Sequence, residues 1–219
     1  GKLLYFPYKL RDYTNNPKTV DNIIKQWHSI ESVWNLMEME SNKLGIHYDT
    51  VGMFRNDVFF ATPIYLGQKR HEAVTTGFGL YPVNDRMIYG PYHAVEIWAT
   101  QRFRLFEEEI SKIPRGHGMH SETFLDLVIF PAIRNTHTPI TTNANICFFR
   151  VRADLSLWIN DCLRARTPRG GTLRNPKWVA QQSKLVEKLT GLPCKIKMRS
   201  IQVTQLVCQN KTQSALTSD

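Results

Sequence analysis

The sequence has no uninterrupted run of about 18 apolar residues, the minimum that a membrane-spanning helix requires. The apolar block Leu3-Leu-Tyr-Phe6 is also too short for a signal peptide. We therefore expect neither a membrane span nor a secretory leader within the 219 residues. Because the chain begins at Gly1 rather than Met, we expect a processed or incomplete N-terminus, and a targeting segment could precede it.

Cysteine is scarce, and its spacing excludes the common zinc sites. The four cysteines, Cys147, Cys162, Cys194 and Cys208, form no CxxC pair and no finger-like spacing with histidines. They fit one or two disulfides in an oxidising compartment, or buried thiols in a reducing one. The sequon Asn210-Lys-Thr212 favours the secretory lumen.

Acidic residues are few between 150 and 199, where 12 Lys and Arg face three acids. This region carries the whole formal charge of +9, so the rest of the chain is neutral. It fits the phosphates of a nucleic acid, an acidic membrane surface, a diphosphate ligand, or simply a solvated basic face. Trp158 and Trp178 lie at helical spacings typical of a core, which argues against a stacking platform for nucleic acid.

The order of predicted elements indicates a layered α/β domain, a mixed sheet flanked by helices. With 42% hydrophobic and 21% charged residues, the chain has the composition of a globular protein, and its length predicts one domain over 1–219. Apolar periodicity predicts helices over about 18–45, 90–110, 121–129, 155–163 and 178–189. It predicts strands over 48–54, 58–64, 73–78, 86–89, 146–151 and 196–207.

A polar triplet interrupts the first pair of predicted strands. Arg55, Asn56 and Asp57 follow the apolar segment that ends at Phe54. Ligands of α/β sheets bind beyond the carboxyl ends of strands, so an arginine here could hold a phosphate and an aspartate a divalent ion. The alternative is structural, since an arginine and an aspartate two residues apart can pair at a strand edge.

Two further polar groups are candidates for a site. Asn84 and Asp85 lie on a predicted turn before a strand, where they suit either the turn itself or the hydroxyls of a sugar. Glu122 lies in the first turn of a predicted helix, beside His120. Its carboxylate could favour the helix dipole or act as a general base.

Six short blocks, taken in order, resemble the GT-A type of nucleotide-sugar glycosyltransferase, and more closely an uncharacterised glycosyltransferase-like domain of plants and algae. The resemblance covers residues 17 to 165. The blocks are Trp27-His-Ser-Ile, Tyr48-Asp-Thr-Val-Gly-Met-Phe-Arg-Asn-Asp57, Pro82-Val-Asn-Asp-Arg-Met-Ile-Tyr-Gly90, Ile97-Trp-Ala-Thr, His120-Ser-Glu122 and Phe149-Arg-Val-Arg-Ala-Asp154.

The resemblance implies a transferase that moves a hexosyl or pentosyl unit from a nucleotide-sugar donor to a glycan or other hydroxyl acceptor. Arg55 would contact the donor diphosphate, and Asp57 would contact the donor or a Mn or Mg ion. Asn84 and Asp85 would touch the sugar, with Asp85 and Glu122 in the catalytic roles. The implied compartment is the Golgi or another part of the secretory lumen.

Two departures qualify these implications. An arginine stands where many such enzymes carry the first aspartate of the metal-binding motif, which puts metal dependence in doubt. Only 47 residues precede Tyr48, whereas GT-A folds place several βα units there, so the resemblance implies a truncated chain or a lost nucleotide-binding half. A non-catalytic polyanion-binding domain and a degenerate scaffold are the alternative functions.

Overall fold

A computed structural model describes residues 17–77, 83–110, 113, 120–151, 156–158, 184, 186–188, 191, 194–200 and 203–208. These residues group into two compact units that alternate along the chain. Unit 1 falls within Gly1–Phe54, Tyr65–Thr76 and Leu80–Asn143, and unit 2 within Arg55–Ile64, Gly77–Gly79 and Ala144–Asp219. The protein is mixed α/β, and unit 1 contains a mixed sheet with helices packed on it.

The first helix, α1 (Pro17–Leu44), ends where the sequence predicts. Gly45 follows it with a φ of +65°, a conformation in which glycine pays no steric penalty. The Gly45 N–H donates to the carbonyl of Asn42 at 3.3 Å, and the Ile46 N–H donates to that of Ser41 at 3.0 Å. This Schellman pattern satisfies two carbonyls that the helix end would leave unpaired.

One face of α1 enters the core of unit 1. Trp27 and Trp34 are both fully buried, and Trp27 packs against Phe106 and Phe124 at ring-centroid distances of 5.7 and 4.9 Å. The Trp27 Nε1–H donates to the Ser121 hydroxyl at 3.2 Å. Both tryptophans are therefore core residues of unit 1.

The sheet of unit 1 has the strand order β1-β4-β3-β5. Its strands are β1 (Thr50–Met53), β3 (Ala73–Thr76), β4 (Ile88–Pro91) and β5 (Ile140–Asn143). β4 runs antiparallel to β1 and β3, while β3 and β5 are parallel. β3 and β4 are buried along their whole length, which fits their central positions. Strand β5 was not predicted from the sequence, because Ile140-Thr-Thr-Asn143 has one apolar residue.

The other α-helices described in unit 1 are α2 (Tyr92–Arg104), α3 (Phe106–Glu109), α4 (Ser121–Phe124) and α5 (Phe130–Asn135), and a 3₁₀ helix covers Leu66–Lys69. A π-helical segment, Leu125–Ile129, joins α4 to α5. Pro131, the second residue after this segment, has no N–H to donate in the regular α-helical pattern. α2 packs on α1, β1 and β4, so the core lies between these helices and the sheet.

The sheet of unit 2 is antiparallel throughout, with the order β2-β6-β7-β9-β8. The strands are β2 (Val58–Phe60), β6 (Phe148–Val151), β7 (Ser156–Trp158), β8 (Cys194–Ser200) and β9 (Val203–Cys208). Phe148 and Phe149 of β6 are buried and pair in register with Phe60 and Phe59 of β2.

Two predictions for unit 2 are wrong. The predicted helix over 155–163 contains β7, which bonds to β6 and β9 and places Trp158 in a sheet. Ser156-Leu-Trp158 is too short for periodicity to separate a strand from a helix, and strand partners decide it. The predicted strand over 196–207 is two antiparallel strands, β8 and β9. Of the predicted helix 178–189, the structure describes Lys184 and Val186–Lys188, which are helical.

The cysteine chemistry is that of an oxidised protein. Cys147 is disulfide-bonded, and no free cysteine occurs among the described residues. The basic loop 167–176, Asp154 and the sequon at Asn210 lie outside the described residues. Within the parts of the chain that the structure describes, no helix has both the length and the hydropathy of a membrane span.

Gly90 of β4 is expected to tolerate no side chain. Its φ is +150°, and a Cβ would lie 2.4 Å from the carbonyl oxygen of Glu72 and 3.0 Å from the Cα of Ala73. Backbone atoms cannot move away cheaply, so Gly90→Ala should lower the free energy of unfolding by roughly 2–3 kcal/mol, from strain and overlap together. Urea titration followed by circular dichroism measures this change.

Gly45→Ala is the control for Gly90→Ala. It also has a positive φ, of +65°, and nothing lies within 4 Å of its added Cβ. Its cost is therefore conformational only, about 1 kcal/mol. If both variants lost the same free energy of unfolding, the close approach of the added Cβ to the Glu72 backbone would not be the reason why Gly90 tolerates no side chain.

Candidate functional site

The polar triplet predicted as a donor site lies between β1 and β2. The Arg55 Nε–H donates to Asp57 Oδ1 at 2.7 Å, and an Nη2–H donates to Oδ2 at 2.6 Å. This is a bidentate ion pair, in which the planar guanidinium matches both carboxylate oxygens. The side chains are 29% and 40% exposed, so solvent reaches both members of the pair.

The pairing of Arg55 with Asp57 favours the structural alternative for these residues. Each supplies a charged partner to the other, and the backbone carbonyl of Asp57 accepts from the Val151 N–H of β6 at 2.8 Å. The carbonyl of Asp57 therefore has a structural role within unit 2, at the start of β2. A ligand role would require a diphosphate or a cation to displace one partner of the pair.

Asn84 also has a structural role. Its side chain is 1% exposed, and its Oδ1 accepts from the backbone N–H of Arg86 at 2.8 Å. This is the local hydrogen bond by which asparagine stabilises turns. A side chain buried in this way holds the turn before β4, while Asp85 beside it is half-buried and open to a ligand.

Asp85 interacts electrostatically with a buried charge that no sequence feature predicted. Arg102 of α2 is 0% exposed. Its Nε–H donates to the Trp98 carbonyl at 2.8 Å, and its guanidinium carbon lies 3.6 Å from the centroid of the Trp98 ring. Within the described residues, neither Nη1 nor Nη2 has a hydrogen-bond partner. Arg102 is therefore a buried cation whose outer N–H groups are unsatisfied.

Burial controls the protonation of Arg102. It lowers the pKa of Arg102 from its ordinary value to about 9, because the charged guanidinium loses its hydration. The negative charge of Asp85 acts in the opposite direction and raises that pKa. Asp85 is thus the carboxylate that offsets part of the buried charge, although no hydrogen bond joins the two side chains in the described structure.

Glu122 lies in the first turn of α4 and is half-buried. The N-cap residue of α4 is His120, which makes no side-chain capping bond. The Ser121 hydroxyl accepts from Trp27. That bond ties the start of α4 to α1 and fixes the position from which the Glu122 side chain extends.

The predicted site residues belong to both units. Arg55 and Asp57 lie in unit 2, whereas Asn84, Asp85 and Glu122 lie in unit 1. Pro82 of the quoted blocks lies outside the described residues. Among the residues that are described, no three His, Cys, Asp or Glu side chains group as metal ligands.

A separate cleft of about 930 Å³ lies within unit 1, and we call it the histidine cleft after His71, His93 and His137. The start of α2 and three loops line it, through residues 48–50, 66–67, 70–71, 91–93 and 136–138. No motif in the sequence indicates this cleft, because its residues come from distant positions. Of its histidines, His71 and His137 fall between predicted elements, whereas His93 falls in the predicted helix over 90–110.

The comparisons with known proteins give no family assignment. No protein-family model matches the chain. No curated protein matches it, and no solved structure resembles it significantly.

Proposed function

We propose that the chain is a glycosyltransferase-like protein of GT-A type, which moves a sugar from a nucleotide-sugar donor to an acceptor hydroxyl. The observation that carries the proposal is the buried, unsatisfied cation of Arg102 behind Asp85. It lies next to the 82–90 block, one of the longest blocks of the resemblance.

A buried guanidinium whose Nη1 and Nη2 groups have no partner among the described residues costs several kcal/mol, and we take this cost as a sign that Arg102 serves a site. The positive charge of Arg102 attracts negative charge to the surface that Asp85 occupies. Asp85 is half-buried, so its carboxylate can accept a hydrogen bond from a sugar hydroxyl while Arg102 supports it from behind. In this proposal Asp85 binds the substrate, and Arg102 sets the electrostatic environment of Asp85.

Glu122 is the second carboxylate of unit 1 in the proposal. Its position in the first turn of α4 leaves it half-buried, which suits a general base that takes the proton of the acceptor hydroxyl. Asn84 holds the turn that carries Asp85. Its role in sugar binding is thus indirect.

On the donor side, the Arg55–Asp57 pair would open to admit the diphosphate. Ion pairs that are exposed to this extent contribute only about 0.2–1 kcal/mol, so exchanging partners costs little. Arg55 would then bind the diphosphate in fork geometry, and Asp57 would hold a Mn or Mg ion together with phosphate oxygens. When bound, such an ion stabilises the negative charge of the leaving diphosphate.

The disulfide at Cys147 supports the Golgi or another secretory compartment as the place of action, because disulfides persist in oxidising compartments. The alternative function, polyanion binding by the basic 150–199 region, stays a prediction, since most of that region lies outside the described residues.

Titration calorimetry of the full chain with UDP and GDP, with and without Mn, tests the donor side. Asp57→Asn is expected to weaken Mn-dependent binding at least tenfold, which corresponds to about 1.4 kcal/mol for a lost charged contact. Asp21→Asn is the control, since Asp21 is also an exposed carboxylate in an ion pair, with Lys25 on α1. If neither nucleotide binds under any metal condition, the transferase proposal fails and the scaffold interpretation replaces it.

A further inference from the structure

We propose that the histidine cleft is a binding site for a small ligand that carries a phosphate or diphosphate group, distinct from the residues assigned to sugar transfer. Its volume of about 930 Å³ lies in the range of clefts that hold small molecules. The cleft belongs entirely to unit 1, so its shape depends on one compact part of the protein.

The charges of the lining favour an anion. Arg70, His71, His93 and His137 offer donor groups, against a single lining carboxylate, that of Asp49. Within the described parts of the chain, the side chains of Arg70, His71 and His137 take part in no hydrogen bond or ion pair. Their donors are therefore available to a ligand, and phosphate has enough acceptor oxygens to use several of them.

Arg70 is the main cation of the cleft, and its neighbour shows why. Lys69 also carries a charge, but its Nζ donates to Glu72 at 2.8 Å and to Thr141 at 3.2 Å. The adjacent Arg70 has no such partner and lines the cleft. A guanidinium matches two oxygens of a phosphate at once, which a point charge does not.

Helix α2 adds to this positive character, because its first turn lines the cleft. The Tyr92 N–H is bonded to the carbonyl of Asp49 at 3.0 Å. The following N–H groups of the first turn have no intrahelical acceptor, and the positive end of the helix dipole lies there. Backbone donors thus supplement the side chains of Arg70 and the histidines.

A chain of hydroxyl groups orients the His93 ring. The Thr136 hydroxyl donates to the Ile133 carbonyl at 2.7 Å, so the Thr138 hydroxyl must be the donor in their 3.0 Å contact. Having given its proton to Thr136, Thr138 can only accept from His93 Nε2, at 2.7 Å. His93 therefore carries a proton on Nε2, and its Nδ1 has no partner among the described residues.

His137 lies on the same loop in an uncommon backbone conformation. Its φ is +62°, although it is not a glycine. The loop is held in place by the Thr136 hydroxyl and by the His137 N–H, which donates to the Arg134 carbonyl at 2.9 Å. A glycine would suit this backbone better, so the imidazole is present at a conformational cost.

The test is titration calorimetry of the full chain with pyrophosphate in metal-free buffer. We expect binding with a Kd of about 1 mM or tighter. Arg70→Met should weaken it at least tenfold while keeping the apolar stem. Arg134→Met makes the same change at an exposed arginine outside the lining and should alter Kd less than twofold.

A second variant separates binding from folding. His137→Gly removes the imidazole and suits the positive φ, so the melting temperature should stay equal or rise while pyrophosphate binding weakens several-fold. Unchanged binding in both Arg70→Met and His137→Gly would overturn the proposal. It would also be overturned if Arg55→Met abolished binding and Arg70→Met did not, since the anion would then sit at the sugar-transfer residues.

Discussion

Replacing Trp27 by alanine is expected to lower the free energy of unfolding by about 3–5 kcal/mol, the largest stability change we predict. Trp27 is 0% exposed and joins α1 to two other helices through Phe106 and Phe124. Its truncation leaves a cavity and removes the partner of the Ser121 hydroxyl. The cavity and the lost hydrogen bond both lower the free energy of unfolding. Neither neighbouring ring can fill the cavity without moving its own helix.

Urea denaturation, followed by far-ultraviolet circular dichroism, measures the effect of Trp27→Ala. Leu36→Ala on the same helix is the control, because Leu36 is 59% exposed and alanine favours helix. We expect the control to change the free energy of unfolding by less than about 0.5 kcal/mol. A loss below about 1 kcal/mol for Trp27→Ala would mean that α1 is not an integral part of the core.

The sequence was sufficient for elements with long, regular periodicity. In α1, apolar residues recur at helical spacing over many turns, and a glycine marks the end, so both its type and its C-terminal boundary were predictable. The short strands of unit 2 were not. Ser156-Leu-Trp158 has too few residues for a period to show, and its strand state depends on partners in β6 and β9.

The candidate site shows the same limit. The blocks at Arg55 and Asn84 were recognisable because their polar residues interrupt apolar segments. The interaction partners of these polar residues could not be predicted. Whether Arg55 binds Asp57 or a ligand depends on side-chain conformation, which the sequence does not show. Arg102 was hidden for another reason. An arginine in an amphipathic helix normally lies at the surface, whereas Arg102 lies on the buried face of α2.

Arg102 leads to the prediction with the most direct bearing on function. Arg102→Met keeps an unbranched apolar side chain over Trp98 and removes a buried, unsatisfied charge. We expect the free energy of unfolding at pH 7 to rise by about 1–4 kcal/mol, as found when buried ions are replaced by well-packed apolar groups. In contrast, Mn-dependent sugar transfer should fall at least tenfold, if Arg102 supports Asp85 as proposed.

The pH dependence distinguishes this electrostatic cause from simple repacking. Because burial lowers the pKa of Arg102 to about 9, the unfolded chain binds more protons than the folded chain above about pH 9. The wild type should therefore gain stability relative to Arg102→Met as pH rises above about 9, and the difference should be constant below it. Arg134→Met, which removes an exposed arginine, should show no such convergence. A gap between wild type and Arg102→Met that stays the same up to pH 11 would mean that packing, and not the buried charge, sets the stability of this site.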